Sequence, residues 1–125
     1  NAQILIESLM DLSAIRLPVP EPKFRHAYYK FYLYVVPEAL KPDWDRDRIM
    51  NKACSLGVPC YSGSCSEIYL EKAFDINGLR PGGRLPVARE LGETSLMLLV
   101  HPTLSEEAVQ FVGTTMRNVI REGTR

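Results

Sequence analysis

The chain has 125 residues, the size of a single domain, and its 15 basic and 15 acidic side chains cancel to a formal net charge of zero. This balance provides no basic surface for nucleic acid or an anionic membrane, so we expect neither partner. No apolar run approaches the ~20 residues that span a bilayer, and we expect no signal peptide.

The first predicted element is a helix with one apolar stripe. Asn1 and Ala2 look like a remnant of tag removal and are left out of the fold reasoning. Leucines spaced four and three residues apart then predict a helix that ends near residue 13. They are Leu5, Leu9 and Leu12. Three prolines at every second position follow, and because each fixes φ, residues 18–22 are predicted to be extended.

Residues 28–36 show the alternation of a β-strand. One set of side chains is apolar and the other is aromatic or basic, so the strand has two chemically different faces. The apolar set is Phe31, Leu33 and Val35. The other set is Lys30, Tyr32 and Tyr34.

A capped helix and a short strand are predicted next. Asp43 or Asp45 can cap the helix, and Gly57 ends it. Its apolar face, which we expect in the core, consists of Ile49, Met50, Ala53 and Leu56. Residues 58–61 then predict a short strand, and a polar loop of small residues follows directly.

The C-terminal half contains one short element, two turns and three longer elements. Residues 67–74 predict a short helix, while Asn77-Gly78 and the Pro-Gly-Gly at 81–83 are typical of turns. Pro86 suits the first turn of a helix that turns Val87 and Leu91 inward. Residues 95–100 predict a buried strand, and Ser105 caps the last helix. The core face of that helix is Val109, Val112, Met116, Val119 and Ile120.

This order of elements predicts a two-layer α+β domain with a small three-stranded sheet packed against helices. We expect residues 1–17 to form a domain-linking helix and residues 18–125 to form the domain proper. If the chain was cut from a larger protein, an exposed apolar patch is expected, and we place it at the first helix.

The reactive side chains form no complete catalytic or metal-binding set. The three cysteines, Cys54, Cys60 and Cys65, lack the spacing of a disulfide framework, so we expect free thiols in a reducing cytoplasm. The two histidines are far apart in sequence, and no pair of ligands has metal-binding spacing, so no metal is expected.

Three blocks taken together resemble one known family. They are RHAYYKFY at 25–32, RDRI through LGVP at 46–59, and LPVAREL through HPTLSEE at 85–107. In this order and spacing they resemble the C-terminal small domain of DegT/StrS-type sugar aminotransferases, which are fold-type I pyridoxal-phosphate enzymes. The chain departs from the family where many members carry His-Tyr-Pro, because it has Gly-Ser-Cys at 63–65.

The resemblance implies transfer of an amino group from glutamate to a nucleotide-linked keto-sugar by a homodimeric enzyme. It also implies that the catalytic lysine and most of the pyridoxal-phosphate site lie in a large N-terminal domain outside this chain. We therefore expect no catalytic residue here and no activity of this chain alone. The alternative is a freestanding α+β module for ligand sensing or dimerisation, without catalysis.

The resemblance and the residue chemistry together nominate six substrate-binding residues. They are Tyr29, Lys30, Tyr61, Ser62, Ser64 and Tyr69. Lys30 is either a charge near a substrate carboxylate or phosphate, or a stem packed along neighbouring tyrosines. Tyr29 either lines the cleft or makes one structural hydrogen bond. The loop at 61–64 either offers hydroxyls to a ligand or is a plain turn.

Overall fold

The computed structural model describes residues 1–76 and 78–125, so Asn77 of the predicted turn lies outside the described residues. The described helices are α1 (Ala2–Leu9), α2 (Arg46–Ser55), α3 (Lys72–Ile76), α4 (Pro86–Thr94) and α5 (Glu106–Gly123). The described strands are β1 (Ile15–Arg16), β2 (Phe31–Val35), β3 (Cys60–Tyr61) and β4 (Ser95–Leu98).

The strands form one antiparallel sheet in the order β1-β2-β4-β3, which confirms the α+β class. All three predicted strands are present. The sheet has one strand more than predicted, because the two-residue β1 pairs with the end of β2 just before the prolines. Strand β2 starts at Phe31, three residues later than predicted, since Tyr28 has a φ of 46° that interrupts extended backbone.

The core lies between one face of the sheet and helices α1, α2 and α5. Both predicted caps are present: Asp45 accepts from the Arg48 backbone N–H at 2.7 Å, and Ser105 accepts from that of Ala108 at 3.2 Å. The predicted apolar stripes of the first and last helices are buried, except that Val112 is only partly so. Helix α1 ends at Leu9, earlier than the predicted end near residue 13, and the buried Leu12 lies beyond it. The core residues of the sheet are Ile15, Phe31, Leu33, Val35, Cys60, Leu96 and Leu98.

The prediction that Leu56 belongs to the core is wrong, since it is 48% exposed. Helix α2 stops at Ser55, and Gly57 with φ of 85° turns the chain so that Val58 enters the core instead. Val87 is likewise exposed rather than inward, because it lies on the outer side of the first turn of α4.

Residues 67–74 form two short pieces instead of one helix. A 3-10 turn spans Ile68–Leu70 and α3 follows after Glu71. The large exposed apolar side chains are concentrated between residues 68 and 87. They are not on α1, whose leucines pack against α5. Those between residues 68 and 87 are Ile68, Leu70, Ile76, Leu79, Leu85 and Val87.

The second face of the sheet carries Tyr32 and Tyr34, as the alternation predicts, and we call it the tyrosine face. Across the strands, Met97 of β4 lies between Tyr32 and Tyr61. Helix α4 lies over this face. The loop after β3 therefore leaves the sheet beside a surface of phenol rings.

Candidate functional site: the serine loop on the tyrosine face

The polar loop after β3, residues 62–66, is here called the serine loop. The loop packs against the tyrosine face at Gly63, which has a φ of 88°. The backbone there is so close to the Tyr32 ring that a Cβ added to Gly63 would stand 2.6 Å from Tyr32 Cε1. Only glycine fits such a backbone pressed against a ring. The Ser64 and Tyr32 hydroxyls are 3.0 Å apart, and Ser95 Oγ donates to the Ser62 carbonyl at 2.7 Å. The start of the loop is therefore fixed on the sheet.

The far end of the loop is held by Glu67. Tyr69 Oη donates to Glu67 Oε1 at 2.6 Å, Arg84 Nε donates to the same oxygen at 2.9 Å, and Arg84 Nη2 donates to Oε2. The Leu85 backbone N–H donates to Tyr69 Oη at 2.8 Å. We call these four residues the Glu67 brace.

The contacts within the Glu67 brace shift the pKa values of its side chains. Arg84 above all, and then Tyr69, lower the pKa of the Glu67 carboxyl from its ordinary 4.5 to about 2. The pKa of the Tyr69 hydroxyl is raised, first by burial and then by the neighbouring carboxylate. Bonding to Glu67 raises the pKa of the Arg84 guanidinium. The pair is therefore fully charged at neutral pH.

A hollow of about 360 Å³ opens beside the loop. Its wall includes the side chains of Ser62, Ser64 and Ser66 together with Arg46 and Arg84. Arg46 Nη1 donates to the Ser95 carbonyl at 3.1 Å. Its Nε lies 2.7 Å from Asp47 Oδ1, but without hydrogen-bond geometry. Since both arginines are ion-paired, the hollow presents hydroxyls rather than a free positive charge.

The structure brings three of the six predicted residues to the tyrosine face, and a fourth, Lys30, lies just before β2. Ser62 and Ser64 line the hollow, and Tyr61 is half exposed in the same cross-strand row as Tyr32. Lys30 lies in the bend that precedes β2. It lines a small pocket with Tyr32.

The other two predicted residues lie elsewhere. Tyr29 is 86% exposed, with the Lys30 ammonium 5.5 Å from its ring centre, and it lines a shallow hollow that includes His101. Tyr69 is 8% exposed and uses its hydroxyl inside the brace. Substrate contact by either residue stays a prediction.

Sequence reasoning missed the contributions of Arg46 and Tyr32 to this site. Arg46 sits at the start of a capped helix, where a solvated side chain is the ordinary expectation, so its sequence gave no signal. Tyr32 was predictable from the sequence, because the strand pattern puts it in the same aromatic and basic set as Tyr34.

The residues present do not fit a pyridoxal-phosphate site. A lysine that forms a Schiff base is activated by desolvation or by a second cation. None of the lysines among the described residues is buried. They are Lys23, Lys30, Lys41, Lys52 and Lys72. The coenzyme chemistry implied by the resemblance therefore finds no lysine of the required kind in residues 1–76 and 78–125.

The buried Cys60 thiol supplies no nucleophile either. Burial, and then neighbouring Cys54, raise the pKa of the Cys60 thiol to about 12, so it stays protonated. Cys54 Sγ donates to the Cys60 carbonyl at 3.3 Å, and Cys65 is exposed. Nowhere in the described part of the chain do three histidine, cysteine, aspartate or glutamate side chains converge as for a metal ion. No helix there has the length and apolar character needed to cross a bilayer.

Solved structures match this chain along nearly its whole length, whereas no family model and no curated protein matches it. The aminotransferase from Psychrobacter cryohalolentis is 46% identical with a TM-score of 0.91, over 97% of this chain and 33% of that one. A DegT DnrJ EryC1 StrS aminotransferase from Brucella abortus is 25% identical with a TM-score of 0.70, over 97% and 28%. DesV from S. venezuelae, solved with a ketimine intermediate, is 21% identical with a TM-score of 0.78, over 95% and 30%, and shows the fold alone. The chain thus spans about one third of the enzymes that it matches.

Proposed function

We propose that this chain is the C-terminal small domain of a pyridoxal-phosphate-dependent enzyme of the DegT/DnrJ/EryC1/StrS type, because solved aminotransferases match it along nearly its whole length. The reaction proposed is the transfer of an amino group from glutamate to a nucleotide-linked keto-sugar. In this proposal residues 18–125 are the domain proper, and residues 1–17, whose α1 packs against α5 and whose β1 pairs with β2, connect it to the remainder. The intact enzyme is proposed to be a cytoplasmic homodimer.

The role proposed for this chain is to wall the substrate rather than to carry the coenzyme. This division of labour is supported by the share of the matched aminotransferases that the chain spans, about one third. The coenzyme, its lysine and the proton transfers are therefore assigned to the part of the enzyme outside this chain. In isolation the chain is expected to be inactive.

The observation that carries the proposal is the rigidly held serine loop. Ser62 and Ser64, which both carry hydroxyl groups, line the hollow, and Tyr61 lies beside them on β3. Hydroxyl and phenol groups of this kind pair with the hydroxyls of a sugar. Because the loop is already fixed at both ends, binding loses little conformational freedom there.

The test is to express the complete reading frame and to screen nucleotide-linked keto-sugars with glutamate. Formation of 2-oxoglutarate measures turnover. We expect Ser64→Ala to raise the KM for the keto-sugar severalfold, because one hydroxyl contact is lost. Ser13→Ala, at an exposed position outside the hollow, is the matched control.

Two results would contradict this proposal. One is the absence of turnover with every keto-sugar tested. The other is a complete reading frame of about this size, without a lysine-bearing large domain, which favours the freestanding module instead.

A further inference from the structure

We propose that Glu67 is a positioning residue, which fixes the serine loop in its substrate-facing position through the Glu67 brace. This inference rests on the proposed function only for its effect on substrate. Its structural part concerns this chain alone. It also assigns Tyr69 to the brace rather than to substrate contact.

The contacts of Glu67 are those of a structural anchor. Its side chain is only 13% exposed, and both carboxylate oxygens accept from Arg84 in a bidentate arrangement. Charge-assisted bidentate pairs fix orientation as well as distance. Tyr69 adds a third bond at 2.6 Å. A carboxylate occupied on both oxygens is a poor candidate for direct substrate contact.

The brace joins segments that are distant in sequence. Glu67 follows the serine loop, Tyr69 lies in the 3-10 turn, and Leu85 is the N-cap of α4. Close packing reinforces this join, since a Cβ added at Gly92 of α4 would meet Ser66 Oγ at 2.4 Å. The end of the loop is therefore tied to α4, just as its start is tied to the sheet.

The surrounding charges make Glu67 the group on which the brace depends. Arg84 also approaches Glu93 Oε1 at 3.3 Å, but that oxygen is bound by Arg89 Nε at 2.8 Å. If Glu67 loses its charge, the bidentate ion pair is lost, and Arg84 keeps at most one neutral hydrogen bond there beside the Glu93 carboxylate that it shares with Arg89. We expect the loop to detach from α4 while α4 itself stays folded.

The structural test uses this chain and the variant Glu67→Gln, with Glu106→Gln as the matched control on α5. Backbone ¹⁵N relaxation should show order parameters of residues 63–66 falling from ~0.85 to below ~0.6. Exchange of the Leu85 amide, whose acceptor is Tyr69 Oη, should accelerate about tenfold. Amides of α2 and α5 should not change. Equal loop order in Glu67→Gln and in the control overturns the proposal.

A milder variant covers the case in which Glu67→Gln fails to fold. Tyr69→Phe deletes one hydroxyl and leaves the Arg84 pair in place, so the Leu85 amide loses its acceptor. We expect faster exchange at Leu85 with a smaller loss of order in the loop. Unchanged exchange at Leu85 overturns the proposal.

The functional test uses the intact enzyme. Glu67→Gln should raise the KM for the keto-sugar about tenfold with little change in kcat, a split that general loss of folded enzyme does not produce. A mobile loop with an unchanged KM leaves the brace standing and contradicts the proposed function. An immobile loop in the variant overturns the brace, whatever the KM.

Discussion

Replacing Gly63 by alanine should destabilise the chain more than alanine at any other loop glycine. The new Cβ meets two separate penalties there. A left-handed φ of 88° costs a non-glycine residue about 1–2 kcal/mol. The Cβ would also stand 2.6 Å from Tyr32 Cε1, closer than real contacts allow.

The size of the second penalty depends on how the Tyr32 ring moves to make room for the new Cβ. Moving its ring off its rotamer costs about 0.5–1.5 kcal/mol, and losing the 3.0 Å bond to Ser64 costs about the same. We therefore expect Gly63→Ala to lower the free energy of unfolding by about 2–5 kcal/mol, measured by urea denaturation.

Two other glycines separate the cost of the left-handed backbone from the cost of the contact with Tyr32. Gly57 has a φ of 85° with nothing within 4 Å, so Gly57→Ala should show the backbone cost alone, about 1–2 kcal/mol. Gly82 has neither a left-handed φ nor a close neighbour, and Gly82→Ala should stay within about 0.5 kcal/mol. If Gly63→Ala costs no more than Gly57→Ala, the loop does not lie against Tyr32 and the reasoning is refuted.

Three further predictions concern packing and titration. Met116 is fully buried, so Met116→Ala should cost about 2–5 kcal/mol, whereas Leu56→Ala at a half-exposed position should cost about 0.5 kcal/mol or less; equal costs would contradict the assignment of faces. Iodoacetamide at pH 8 should modify the exposed thiols of Cys54 and Cys65, and it should spare Cys60 until the protein is unfolded. Labelling of Cys60 in the native protein would disprove its burial. Because the folded pKa of Glu67 is depressed from 4.5 to about 2, its stabilising effect is full above 4.5 and is lost as the pH falls through about 2. A ¹³C titration of the Glu67 carboxyl should show this midpoint, and a midpoint near 4.5 would show that the brace does not form.

The sequence predicted those parts of the fold that depend on local patterns. The alternation around Leu33 and the cap at Ser105 follow from neighbouring residues, and both are present. The start of β2 could not be predicted, because Tyr28 bends away through its N–H bond to His26 Nδ1 at 2.8 Å. The burial of Leu56 was predicted wrongly because helical periodicity was continued one residue past the end of the helix.

The sequence predicts which residues make up the serine loop, but it does not predict the ion pair that holds the end of the loop. Small polar residues after a short strand predict a loop there, and the structure has that loop, with Ser64 at its centre and beside the hollow. The pairing of Glu67 with Arg84 spans 17 positions, and the chain offers ten arginines as partners for each carboxylate. Only the fold, which brings Arg84 back to Glu67, selects one of them.

The central claim is that these residues wall the substrate while the coenzyme is bound elsewhere in the enzyme. The most direct measurement is borohydride reduction of the complete gene product with pyridoxal phosphate, followed by peptide mapping of the modified lysine. The account predicts one modified lysine outside the 125 residues described by this sequence. A modified Lys30, or any other lysine of this chain, would contradict it.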